Sequence, residues 1–163
     1  MENGFSLATL QREHEPWRQY NFGDAPAWHP LLGIVEEMGE LHEAKTLEDV
    51  KDSLADVVVY MAHLCNASGF DLETIAAVAA QMGYRPSEMK ELRQLAHHFL
   101  KREQGIRGSR EEHTAAIKGA LAGIYAILLD TATEYDIDLL KAVEETWSSV
   151  KQRDWKKNAQ TGT

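Results

Sequence analysis

Two stretches of this chain combine carboxylates with apolar residues at helical spacing. Residues 33–44 read GIVEEMGELHEA, in which Glu36, Glu37, Glu40 and Glu43 run beside an apolar stripe of Ile34, Val35, Met38 and Leu41. Residues 49–65 read DVKDSLADVVVYMAHLC, in which Asp49, Asp52 and Asp56 lead into an apolar run. On helices, Glu37 shares a face with Glu40, and Asp52 with Asp56. Asp56 is the most informative residue, because it stands between Leu54-Ala55 and Val57-Val58-Val59. A lone ionised carboxylate there is costly to bury without a compensating cation, and the basic side chain nearest in sequence, Lys51, is more than a turn away. A hard cation held by oxygen ligands answers that cost. Mg²⁺, with Mn²⁺ able to substitute, is the usual occupant of a few-carboxylate site that also receives phosphates.

The remaining bulk properties narrow the partners. With 163 residues, 44% hydrophobic and 26% charged, the chain suits one globular domain with its own core. A formal net charge of −9 weighs against a nucleic-acid polymer, whereas a triphosphate can be accommodated when a divalent ion supplies positive charge. The single cysteine, Cys65, excludes an intrachain disulfide and reads as a small buried hydrophobe. No signal peptide is legible at the start, and no uninterrupted apolar run reaches membrane-spanning length. No membrane partner is expected, and the expected location is cytoplasmic.

The elements that must position these carboxylates are helices, since nothing alternates with period two for long enough to suggest a sheet. Ser6 caps a helix through about Tyr20, with Pro16 inside it as a point of kinking or division. Trp28-His29-Pro30 opens the first acidic helix, and Thr46-x-x-Asp49 forms a capping box for the second, which ends at Ser68-Gly69. Further helices are expected over 72–82, from Ser87 to the break at Gly105, from Ser109 or Arg110 to about Glu134, and over 136–157, with a frayed tail over 158–163. The expected fold is an all-α helical bundle in a single domain, 1–163. Its first half, 6–83, carries the acidic site. Its second half, 87–157, reads as a degenerate copy, because Leu54, Ala55, Asp71 and Leu72 align without a gap on Leu121, Ala122, Asp138 and Leu139.

Glu36-Glu37-x-x-Glu40, followed by Ser53-x-x-Asp56, resembles the paired EExxE and ExxD signatures of the MazG-like all-α nucleoside triphosphate pyrophosphohydrolases. These are relatives of dimeric dUTPases, dCTP pyrophosphatases and phosphoribosyl-ATP pyrophosphatase. The resemblance covers Trp17 to about Asp71, including WRQYNFG and WHPLLGIVEEMGEL, and extends more loosely to Val150–Trp155. It implies that Glu37, Glu40, position 53 and Asp56 hold the metal. Ser53 stands where the family has Glu, and Asp52, one turn from Asp56, is placed to take over that role. The resemblance also implies a homodimer and hydrolysis of a nucleoside triphosphate to monophosphate and pyrophosphate, in nucleotide-pool house-cleaning. Glu36 or Glu37 would orient the attacking water.

Trp17, Phe22, Trp28, His29 and Tyr60 are the aromatic candidates for stacking a nucleobase, although Trp17 and Trp28 also fit as core anchors. Lys101 and Arg107, in the most concentrated basic stretch, and Arg153 near the end are candidates for triphosphate oxygens; a solvated basic turn is the plainer alternative. His63, on the apolar helix, reads as a hydrogen-bonded core residue. Two other functions compete: phosphoribosyl-ATP pyrophosphatase, with the same metal site and a bulkier substrate, and a catalytically inactive helical binding or regulatory module, favoured by Ser53.

Overall fold

The computed structural model describes residues 4–163, and every regular element among them is a helix. In chain order these are α1 (Leu7–Phe22), α2 (Trp28–Glu43), α3 (Leu47–Ser68), α4 (Leu72–Ala80), α5 (Glu88–Gln104), α6 (Arg110–Glu134) and α7 (Leu139–Val150). Local chemistry sets most of the boundaries. The Ser6 hydroxyl accepts from the Thr9 N–H at 3.1 Å, and Asp138 does the same for Lys141 at 3.0 Å. Thr46 and Asp49 cap α3 reciprocally. Gly69 and Gly105 end α3 and α5 in the left-handed conformation, with φ of 70° and 65°. Pro16 lies inside a continuous α1.

The chain divides into two compact units, one of Met1–Leu72 with Tyr135–Thr163 and one of Glu73–Glu134. In the first, α3 packs against α2, α7 and α1. Its apolar residues extend around most of its circumference, so Leu54, Val57, Val58, Met61 and Leu64 are all fully buried. Trp147 of α7 is buried beside them and donates its Nε1–H to the Glu13 carboxylate at 2.9 Å. Lys51 of α3 meets Glu145 of α7 at 2.6 Å, so it is not the partner of Asp56.

In the second unit α5 packs against α6. A Cβ at Gly123 would lie 2.7 Å from the Glu91 carboxyl carbon, so glycine is what admits that side chain against α6. His113 Nε2 lies 3.0 Å from the Ile106 carbonyl and therefore carries the proton; its Nδ1 then accepts from His98 Nδ1, also at 3.0 Å. By length and composition α6 could cross a membrane, yet 67% of its most apolar window is buried, as in a core helix.

The last helix departs from expectation. α7 stops at Val150, not at 157, and leaves Arg153 and Trp155 outside it. The tail is not frayed. Gly162, at φ 73°, turns the chain back so that its carbonyl accepts from the Asp154 N–H at 2.6 Å, while its own N–H donates to Asn158 at 2.8 Å. The aligned residues Leu72 and Leu139 both begin helices, α4 and α7.

Candidate metal and nucleotide site

The site is built where α2 meets α3. A Cβ at Gly33 would overlap Cδ1 and Cε1 of Tyr60 and lie 2.7 Å from its Cζ, so the glycine lets the ring rest against the α2 backbone. Asp56, one turn before Tyr60, and Glu36 and Glu37, one turn after Gly33, then line the same cavity of about 510 Å³. The cavity is lined by these three carboxylates together with the rings of Trp17, Phe22, His29, Tyr60, His63 and Trp155. Arg153 is the one Lys or Arg among the described residues that line it.

Burial pushes Glu37 up to about 7, helped by the charges of Asp56, Glu40 and Glu36. Burial likewise raises Asp56 to about 6, against the pull of the Arg153 guanidinium and with added repulsion from Asp52 and Glu40. Tyr60 is raised too, first by burial and then by Glu37, Glu36 and Asp56. These groups face one another closely enough for each to oppose ionisation of the next. A cation among them would relieve that repulsion.

Asp56 also lines a second hollow of about 360 Å³ with Glu40, Glu43, Ala44, Lys45, Asp49, Asp52 and Ser53. Asp49 is already committed, because its carboxylate accepts the Lys45 and Thr46 N–H groups at 3.1 and 2.9 Å. Ser53 is buried and Asp52 exposed, so Asp52 holds the freer oxygens of the two. The donor set of Glu37, Glu40, Asp52 and Asp56 is all oxygen, which suits a hard divalent ion. As they stand, no three His, Cys, Asp or Glu side chains among the described residues converge as closely as a bound ion requires.

Of the residues expected from the sequence, Trp17, Phe22, His29, Glu36, Glu37, Asp56, Tyr60 and Arg153 line the cavity, and Glu40, Asp52 and Asp56 line the adjoining hollow. Trp28 lines neither; half exposed, it sets its ring edge-on to His29 with centroids 4.2 Å apart. Lys101, in α5, and Arg107, in the turn after it, belong to the second unit.

Three lining residues went unread in the sequence. Trp155 follows Arg153 by two positions in the irregular segment. His63 continues the Asp56–Tyr60 face of α3 by another turn, a spacing that could have revealed it. His14 comes from α1. His63 is buried as expected, but the expected hydrogen bond is absent at Nε2. Its Nε2 and the Nδ1 of His14 are buried without hydrogen-bond partners, with ring centroids 5.1 Å apart. The aromatic box explains the difference, since Trp17 and Trp147 flank His14 and Phe22 stacks on His63 at 6.0 Å. Burial drives His14 down to about 3 and His63 to about 4, so both rings are neutral at pH 7.

Comparison of the chain with protein-family models, with curated proteins and with solved structures finds no match.

Proposed function

We propose that this chain is a Mg²⁺-dependent nucleoside triphosphate pyrophosphohydrolase, cytoplasmic and acting on the free nucleotide pool. The observation that carries the reading is Asp56, shared between a hollow lined mainly by carboxylates and a cavity lined by both carboxylates and aromatic rings. That arrangement suits a ligand with a polyanionic end and a planar end. A divalent ion held by Glu37, Glu40, Asp52 and Asp56 would supply positive charge to the phosphates.

The residues of the chain do the rest. Glu36 or Glu37 takes a proton from water as its oxygen bonds to the α-phosphorus. The bond from that phosphorus to the bridging oxygen breaks, and pyrophosphate leaves with the electron pair. Arg153 meets phosphate oxygens, and the aromatic rings stack the base. A homodimer would cover Trp28, Leu32 and Val35, which form an exposed apolar stripe along α2.

The test is pyrophosphate release from a panel of standard and modified nucleoside triphosphates, with Mg²⁺, with Mn²⁺ and with EDTA. Release that needs metal and disappears in Glu40→Ala and Asp56→Ala establishes the activity. Folded wild-type protein that releases none from any nucleotide overturns it. That outcome favours the inactive binding module, whose support is the buried serine at position 53.

A further inference from the structure

Part of the cavity lining comes from outside the helices. Beyond α7 the segment 151–163 runs without regular structure, carrying Arg153 and Trp155 into the lining. Its attachment is concentrated on the last turn of α1. Trp17 Nε1 donates to the Arg153 carbonyl at 3.1 Å, the Trp155 N–H donates to Asn21 Oδ1 at 2.8 Å, and the Tyr20 hydroxyl donates to the Asp154 carboxylate at 3.1 Å. Lys156 stands over the Tyr20 ring at 4.9 Å. Asn21 is itself held by its Nδ2, which donates to the Trp17 carbonyl at 3.0 Å, so its Oδ1 is fixed in direction.

Inside the segment, Gly162 closes the return. A Cβ there would stand 3.0 Å from Arg153 Cβ and 3.3 Å from Trp155 Cδ2. The segment buries little, Arg153, Lys156 and Lys157 being exposed. A segment held by a few polar contacts and little apolar burial opens locally at far lower cost than the helices behind it.

We infer that Asn21 and Tyr20 are positioning residues: they clasp the segment 151–163 against α1 and so set where Arg153 stands relative to Asp56 at the mouth of the cavity. This rests on the reading that Arg153 meets substrate phosphates. Arg153 is the one Lys or Arg among the described residues that line the cavity, and its removal from the mouth would leave Glu36, Glu37 and Asp56 without a cationic side chain beside them. Opening the clasp would also widen the cavity at Trp155, giving a nucleotide a way in and pyrophosphate a way out.

The test compares wild type with Asn21→Ala, Tyr20→Phe and the double variant. Two readouts are taken: steady-state kinetics with the best triphosphate of the panel, and hydrogen exchange at the Trp155 amide. The expected result is faster exchange at Trp155 in Asn21→Ala, with amides of α3 unchanged. KM should rise about fivefold to tenfold for each lost hydrogen bond while kcat changes less. Wild-type turnover with unchanged KM in the double variant overturns the inference alone, as does Trp155 exchange equal to wild type. Uniformly faster exchange in α3 reduces Asn21 to a structural residue and overturns it too. No wild-type turnover removes the proposed function, and this inference with it.

Discussion

Gly33→Ala isolates the contact on which the site is built. In the interior of α2 the substitution should stabilise the helix by about 1 kcal/mol, from propensity alone. Against that stands the Tyr60 ring, whose Cζ would be 2.7 Å from the new methyl, with two ring carbons closer still. Carbon atoms prefer about 3.5–4.0 Å, so the ring has to retreat by about 1 Å or more. Tyr60 is half-buried and borders the cavity, so it has somewhere to go, and the overpacking cost falls within the usual range of about 1–3 kcal/mol.

The two effects oppose, and the single variant should lose up to about 2 kcal/mol. The decisive quantity is the coupling. With Tyr60→Ala already present there is no ring to meet, and Gly33→Ala should stabilise by about 0.5–1 kcal/mol. A double-mutant cycle in urea should therefore return about 1–3 kcal/mol between the two positions. Gly33→Ala that stabilises equally in both backgrounds would refute the packing argument, and with it the account of how Asp56 and Glu37 come to line one cavity.

Titration supplies two further tests. Asp56→Asn should stabilise the metal-free protein at pH 8. A carboxylate whose folded pKa is raised from 3.8 to about 6 holds full stability below its unfolded value and loses it as pH rises through the folded one. The full shift corresponds to about 3 kcal/mol, and partial solvent screening brings the expected gain to about 1–2 kcal/mol, vanishing by pH 3; denaturation at both pH values checks it. An Asn variant less stable than wild type at pH 8 would count against the repulsion.

The histidines have the opposite sign. His14 and His63 titrate in the folded state far below 6.5, so their contribution is present above that pH and is lost as pH falls toward about 3 for His14 and about 4 for His63. The carboxylates gain over part of the same window, so the readout is a difference: His63→Phe should lose less stability than wild type between pH 6.5 and 4. Parallel melting-temperature profiles for the two proteins would contradict it.

The helical elements and most of their boundaries were legible because their determinants are local. Ser6, the Thr46–Asp49 box, Gly69 and Gly105 act within a turn of themselves, and the apolar periodicity of α3 identifies it as the central helix of its unit. The suspect carboxylates were legible too, since Glu37 and Glu40, or Asp52 and Asp56, share a face of any helix that contains them. Chain folding decided what those local rules omit. That Asp49 is consumed as a cap while Asp52 remains free was half visible. That Tyr60 lies on Gly33 was not, because it depends on how α2 and α3 are set against each other.

His14 and Trp155 entered the site from segments far apart in sequence, where neither spacing nor composition marks them as neighbours, whereas His63 follows Asp56 and Tyr60 along one face of α3. The end of α7 at Val150 and the folding back of 151–163 likewise reflect long-range bonds to Trp17, Tyr20 and Asn21, which outweigh the helical propensity of the residues themselves. Sequence by itself determined which carboxylates could act together. Only the tertiary structure determined what joins them in one cavity: aromatic rings from α1 to α3 and an arginine and a tryptophan from the segment after α7, which is held against α1.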